Sequence, residues 1–204
     1  MVIGSWVDEI LQHRAEMQPL NTTVDPKLER LSGIKAVVFD IYGTLVISGC
    51  GDVGSADAVG RGSFVRQTLE EIGLLGKLAS VPDAESLQRN IQQLNQDRVN
   101  PRCPKPEVDI VEVWRQVLAE VGWVGCPEEI ELVVRLATRY EALVNPTWPM
   151  PGASELLQQL KKSGCSMGIV SNAQIFTPCL INNLLGDRGL EEGGFSLDLC
   201  VFSN

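Results

Sequence analysis

A single carboxylate at the end of an apolar run is the first candidate for chemistry in this chain. Residues 36–39 are apolar, Asp40 follows directly, and Ile41-Tyr42-Gly43-Thr44 has the composition of a tight turn. Active sites of open α/β sheets lie at the carboxyl ends of the strands, so this spacing predicts that Asp40 lies at such a site. A carboxylate there can attack an electrophile and form a covalent aspartyl intermediate.

A second polar pair follows another apolar run about 130 residues downstream. The run Gly168-Ile169-Val170 is followed by Ser171 and Asn172. Taken alone, a Ser-Asn pair after a strand also fits the cap of the helix that comes next. The pair becomes a specific signal because it follows the Asp40 segment by about 130 residues, with a helical stretch between the two.

Together the two segments resemble the first and second motifs of the haloacid dehalogenase-like hydrolases. The first motif of that family is an apolar strand followed by Asp-x-Asp-x-Thr-Leu or a close variant, and here it reads Asp40-Ile41-Tyr42-Gly43-Thr44-Leu45. The second motif is an apolar strand that ends in Ser or Thr, often followed by Asn, and Ser171-Asn172 matches it. The resemblance implies an α/β fold with a Rossmann-like parallel core and an inserted all-helical cap.

The resemblance also implies roles for five residues. Asp40 matches the nucleophile, and Thr44 would hydrogen-bond Asp40 and fix its rotamer. Ser171 would donate its hydroxyl to the transferred group, with the Asn172 amide nearby. Tyr42 stands where phosphatase members carry a general acid–base Asp and where dehalogenase members carry Tyr. In a phosphatase, the Asp40 carboxylate and the Tyr42 carbonyl would hold Mg²⁺, and backbone amides after Asp40 would cradle the anion.

The elements that must position these residues divide the chain into three parts. Residues 1–33 are predicted to be an amino-terminal extension with an amphipathic helix. Residues 34–50 and 148–204 are predicted to form the α/β core, with strands over 34–39, 166–170 and 199–202 joined by crossover helices. Residues 51–147 show the periodicity of four helices, which the resemblance identifies as a cap that excludes water and selects substrate.

Two further motifs of the family do not appear before Asn204. One is a lysine that balances the charges of nucleophile and substrate, and the other is an acidic pair that holds Mg²⁺ in phosphatases. The strand that carries the acidic pair would neighbour the first strand, so its absence leaves the strand before Asp40 as a sheet edge. We therefore expect an incomplete chain, or a homodimer or partner chain that covers this edge.

Composition excludes several other classes of function. The net charge of −9 argues against non-specific nucleic-acid binding, because phosphates attract basic surfaces. No apolar run approaches the roughly 20 residues that a membrane span needs. Six cysteines without Cys-x-x-Cys spacing and a single histidine make a zinc site improbable. Reduced thiols and the lack of a signal-peptide pattern predict a cytoplasmic protein.

Three functions stay open at this point. The first is Mg²⁺-dependent hydrolysis of a small phosphorylated metabolite through Asp40. The second is metal-free dehalogenation of a 2-haloacid, which Tyr42 suits, with Ser63-Phe64-Val65-Arg66-Gln67 as a loose match to the family's halide-binding arginine segment. The third is a non-catalytic or truncated protein on the same fold, because fold does not dictate function.

Overall fold

The computed structural model of the 204-residue chain describes residues 10, 15–29, 31–49, 58–104, 106–126, 129–185 and 189–203. These residues form two compact units. The helical unit contains Ile10 and the described residues of 49–146, and the α/β unit contains those of 15–48 and 147–203. The amphipathic helix predicted near the amino terminus lies outside the described residues, apart from Ile10.

Strands and helices alternate in the order that the sequence predicts for a parallel core with an insertion. In chain order the elements are β1 (Ala36–Phe39), β2 (Val46–Ser48), α1 (Ala58–Glu71), α2 (Ala84–Arg98), α3 (Ile110–Glu120), α4 (Ile130–Val144), β3 (Thr147–Pro149), α5 (Ala153–Lys162), β4 (Ser166–Ser171), α6 (Thr177–Leu184), α7 (Gly189–Gly193) and β5 (Phe195–Phe202).

The α/β unit is built on a three-stranded parallel sheet in the order β1-β4-β5. Phe39 lies opposite Ile169 between the first two strands, and Ser171 lies opposite Phe202 between the last two. The predicted α/β class with a parallel sheet is therefore confirmed. The last strand is longer than predicted, because it already begins at Phe195, whose buried ring packs edge-on against that of Phe39 with 6.4 Å between centroids.

The two faces of this sheet differ sharply in burial. Met167 and Ile169 are fully buried, whereas Val38, Val170 and Val201 are more than half exposed. Among the described strands, β1 has a neighbour on one side only, namely β4. The strand before Asp40 is thus an edge strand of the described sheet, as expected. That a partner chain or a second copy covers this edge stays a prediction.

A two-stranded antiparallel ribbon is present in addition to the strands that the sequence predicts. β2 pairs with β3, so that Val46 lies opposite Pro149 and Ser48 opposite Thr147. The amide of Met150 then donates to the carbonyl of Leu45 at 2.9 Å. Proline lacks an N–H group, but it is tolerated in a strand at the edge of a sheet, and a two-stranded ribbon consists of edges.

The four helices predicted between the two motifs are all present, and they have a core of their own. Trp114 on α3 is fully buried and packs edge-on against Tyr140 of α4, with 5.1 Å between ring centroids. Arg139, also on α4, is almost fully buried, and its Nε donates to Oε2 of Glu71 on α1 at 2.6 Å. Within the described ranges, no helix has the length and apolar character that crossing a membrane requires.

Candidate active site

The ends of β1 and β4 bring the two predicted motifs together. Asp40 follows β1 directly, and Ser171 is the last residue of β4. Because the strands are parallel neighbours, their carboxyl ends lie at the same edge of the sheet. The Ser171 hydroxyl donates a hydrogen bond to Oδ1 of Asp40 at 2.9 Å, across 131 positions of sequence. Ser171 is buried and Asp40 is exposed, so a protein hydroxyl holds a carboxylate that solvent and solutes can reach.

The turn after Asp40 is wound around one backbone carbonyl. The carbonyl of the fully buried Ile41 accepts the amides of Thr44, Leu45 and Val46 at 3.2, 2.8 and 3.0 Å. The amide of Gly43 donates to the carbonyl of Val46 at 2.7 Å. Gly43 has a φ of +74°, which favours glycine over residues with a side chain.

These bonds limit the predicted anion cradle. The amides of residues 43–46 already donate to acceptors inside the turn, so they are engaged before any anion arrives. A negatively charged group beside Asp40 therefore has to find its donors among other groups, of which the Ser171 hydroxyl is one.

The side chain of Tyr42 reaches the start of helix α6. Its phenol oxygen lies 3.2 Å from Oγ1 of Thr177, and either hydroxyl can be the donor. Thr177 is fully buried, whereas Tyr42 is partly buried. The phenol at this motif position is thus in contact with a second protein hydroxyl.

Thr44 and Asn172, the other two predicted site residues, have exposed side chains. The described residues contain no hydrogen bond between Thr44 and Asp40, and the bond that orients the carboxylate comes from Ser171 instead. Asn172 directly follows Ser171, but its side chain makes no hydrogen bond to any described residue. The structure therefore joins Asp40 with Ser171 and leaves Thr44 and Asn172 facing solvent.

Sequence reasoning missed Ser203, which supports the loop after β4. Its Oγ accepts the amide of Ala173 at 2.8 Å, and its own amide donates to the carbonyl of Ser171 at 3.3 Å. The signal that could have found it is its position. Ser203 directly follows β5, and so lies at the same sheet edge as Asp40 and Ser171.

A buried thiol near this edge is not a competing nucleophile. Cys179 lies on α6, and burial raises the pKa of its thiol to about 11. The thiol is therefore protonated at neutral pH, and a thiolate is the reactive form of cysteine.

The donors at the site suit Mg²⁺ only if the substrate contributes. The described residues contain no group of three His, Cys, Asp or Glu side chains that could hold a metal ion. Mg²⁺ commonly keeps several waters and takes one or two carboxylates together with substrate phosphates. The exposed Asp40 carboxylate is a ligand of this kind, and the Tyr42 carbonyl as a second protein ligand stays a prediction.

Two solved structures are similar to this chain at low identity. One is a protein of Bacteroides fragilis described as a haloacid dehalogenase-like hydrolase, with 17% identity, a TM-score of 0.32, and coverage of 83% of this chain and 63% of that one. The other is a predicted phosphoglycolate phosphatase from Haemophilus somnus 129PT, with 16% identity, a TM-score of 0.34, and coverage of 86% and 65%. The chain thus spans just under two thirds of their length. No curated protein matches it.

A family model gives the assignment. The model described as haloacid dehalogenase-like hydrolase matches residues 34–192, which is most of the chain. The matched range includes β1, Asp40, the four helices between the two motifs, and Ser171 at the end of β4. The chain therefore belongs to the haloacid dehalogenase-like hydrolases.

Proposed function

We propose that this protein hydrolyses a small phosphorylated metabolite through a covalent intermediate on Asp40. The observation that carries the proposal is the hydrogen bond from Ser171 to Oδ1 of Asp40. It joins an exposed carboxylate to a buried hydroxyl at the carboxyl edge of a parallel sheet, where open α/β sheets bind their ligands. The family assignment agrees with hydrolysis as the class of reaction.

The geometry supports one of the two carboxylate oxygens as the nucleophile. Ser171 holds Oδ1, while Oδ2 accepts no hydrogen bond from any described residue. Oδ2 would bond to phosphorus as the bond from phosphorus to the ester oxygen breaks, and the leaving oxygen would take up a proton from solvent. Water would then hydrolyse the acyl phosphate, which releases inorganic phosphate and restores the carboxylate.

Ser171 has a second role in this proposal. Its hydroxyl restricts the rotation of the Asp40 carboxylate, which lowers the entropic cost of reaching the attacking geometry. Because a hydroxyl both donates and accepts, it can turn from Asp40 toward a phosphoryl oxygen once the carboxylate oxygens are engaged. Mg²⁺ held by Asp40 and the Tyr42 carbonyl would supply charge neutralisation for the phosphate.

Tyr42 favours a second candidate, the metal-free dehalogenation of a 2-haloacid. Its phenol contacts Thr177, and the position offers no carboxyl group that could act as a general acid. In that reaction Asp40 would attack the carbon, the halide would leave, and water would hydrolyse the ester to a 2-hydroxyacid. The proposed halide-binding Arg66 has an exposed side chain on α1 in the helical unit.

Two assays on the same protein preparation separate these candidates. Release of p-nitrophenol from p-nitrophenyl phosphate is measured with Mg²⁺ and with EDTA, and halide release from 2-chloropropionate is measured without metal. The proposal expects Mg²⁺-dependent phosphate hydrolysis and no halide release. The reverse pattern would establish the dehalogenase, and inactivity in both assays would favour a binding protein on this fold.

The nucleophile is tested by Asp40→Asn, with Asp198→Asn as the matched control. Both residues are exposed aspartates of the α/β unit, but Asp198 lies within β5 rather than at the end of a strand. Loss of the nucleophile should lower kcat by more than about 1,000-fold, whereas the control should keep full activity. Retained activity in Asp40→Asn would show that another group attacks the substrate.

A further inference from the structure

A second side-chain contact joins the same two loops that the Ser171–Asp40 bond joins. Tyr42 lies two residues after Asp40, and Thr177 lies six residues after Ser171. Their hydroxyl oxygens are 3.2 Å apart. The turn after β1 and the loop after β4 are therefore linked twice by side chains, once at each end of the loop that contains Asn172.

Thr177 also closes its own loop. Its Oγ1 accepts the amide of Gln174 at 3.0 Å, and its amide donates to the carbonyl of Gln174 at 2.9 Å. Because Thr177 is fully buried, water does not compete for its hydroxyl, and a hydrogen bond lost there leaves a polar group unsatisfied. A single side chain thus fixes the shape of the loop over residues 172–176 and its attachment to the turn at Tyr42.

We propose that Thr177 is a positioning residue of the active site, and that it acts through Tyr42. The pair holds the turn that carries Asp40 against the loop that carries Asn172, so that substrate contacts from the two loops keep a fixed spacing. The role of the Tyr42 side chain is then to anchor the turn rather than to transfer a proton. This inference rests on the proposed hydrolytic function for its catalytic consequence, but not for the contact itself.

The experiment compares Thr177→Val, which keeps the side-chain shape and removes the hydroxyl, with Thr177→Ser, which keeps the hydroxyl. The chain has two tyrosines, Tyr42 and the buried Tyr140, so subtracting the spectrum of Tyr42→Phe isolates the phenolate absorbance of Tyr42. Loss of one hydrogen bond should shift the titration midpoint of this phenol by roughly half to one pH unit in Thr177→Val. Thr177→Ser should retain the wild-type midpoint, and an identical midpoint in all three proteins would overturn the inference.

Two further readouts test the positioning role. Hydrogen exchange of the amides in the turn over residues 41–46 should become faster in Thr177→Val and in Tyr42→Phe, and stay at the wild-type rate in Thr177→Ser. With p-nitrophenyl phosphate, kcat of Thr177→Val should fall about tenfold with little change in KM, and Thr177→Ser should restore it. Unchanged exchange, or a kcat that does not follow the hydroxyl, would overturn the role. A wild-type protein without hydrolytic activity would refute the proposed function alone, because titration and exchange still decide on the pair.

Discussion

Gly168 provides the sharpest test of how tightly the strand that carries Ser171 is held. It lies in β4, three residues before Ser171, where the pairing of β4 with β5 shifts register. A Cβ atom built on Gly168 would lie 2.4 Å from the backbone oxygen of Leu199 and 2.6 Å from the Leu199 Cβ. Replacing Gly168 with alanine therefore forces β4 and β5 apart at this point.

The cost of Gly168→Ala follows from these distances. Ordinary contacts of a Cβ atom begin near 3.4 Å, so the new methyl group would be about 1 Å too close to the Leu199 oxygen. No rotamer change can relieve this contact, because the obstructing atom belongs to the backbone of a neighbouring strand. Forced overpacking of this kind costs about 1–3 kcal/mol, and we expect the upper half of that range.

The assay is urea denaturation followed by circular dichroism, with Gly76→Ala as the matched control. Gly76 lies in a short 3-10 turn (Leu75–Lys77), where an added Cβ meets nothing within 4 Å. Alanine there should leave stability unchanged or raise it by about 0.4–1 kcal/mol, because it restricts the unfolded chain. Movement of β4 also moves Ser171, so Gly168→Ala should lower kcat while the control keeps it.

The outcome that would refute this reasoning is equal stability of the two variants. It would mean that β5 does not approach β4 closely at Leu199, and the register shift beside Gly168 would then be wrong as well. A destabilised Gly168→Ala with wild-type kcat would instead separate the packing of β4 from the placement of Ser171.

Three further predictions concern burial and charge. Ile169→Ala should lower the free energy of unfolding by about 2–5 kcal/mol, because Ile169 is fully buried. Val170→Thr on the exposed face of the sheet should change it by less than about 0.5 kcal/mol. A comparable loss in both variants would mean that the face with Val170 is covered in solution. Iodoacetamide at pH 8 should label the exposed Cys126 rapidly and the buried Cys179 only after unfolding, as read by peptide mass spectrometry. The hydrogen bond from Arg89 lowers the pKa of Asp83. The ionised Asp83 carboxylate therefore stabilises the fold at pH values above about 3.8, and this contribution is lost as the pH falls below that value. Asp83→Asn can still cap α2, and it should weaken the loss of stability at acid pH in thermal melts.

The sequence predicts those parts of the fold that depend on local chemistry. The apolar run before Asp40 and the turn at Gly43 are encoded within a few residues, as are the four helices with their periodic apolar faces. The side chain of Asp83 accepts the amide of Ser86 and caps α2, which is the same kind of local signal. The Asp40–Ser171 contact can also be predicted from the sequence, because β1 and β4 are parallel neighbours and their carboxyl ends lie at one edge of the sheet.

Other features could not be predicted, because they depend on long-range geometry. The ribbon of β2 and β3 pairs three residues with three others about 100 positions away, and Pro149 in β3 is a residue that argues against a strand when the sequence alone is read. Asp40 accepts its hydrogen bond from Ser171 rather than from Thr44 because of the side-chain rotamers, which a sequence motif does not specify. Thr177 and Ser203 carry no motif, and their roles appear only when the loops after β4 and β5 are placed in space.

The residues of the candidate site all belong to the α/β unit. Asp40, Ser171, Tyr42 and Thr177 are held by the sheet and by two loops at its edge. The helical unit buries its own core around Trp114, so its folding does not draw on these residues. Substitutions inside that core should therefore lower the stability of the helical unit and leave the Asp40–Ser171 bond in place.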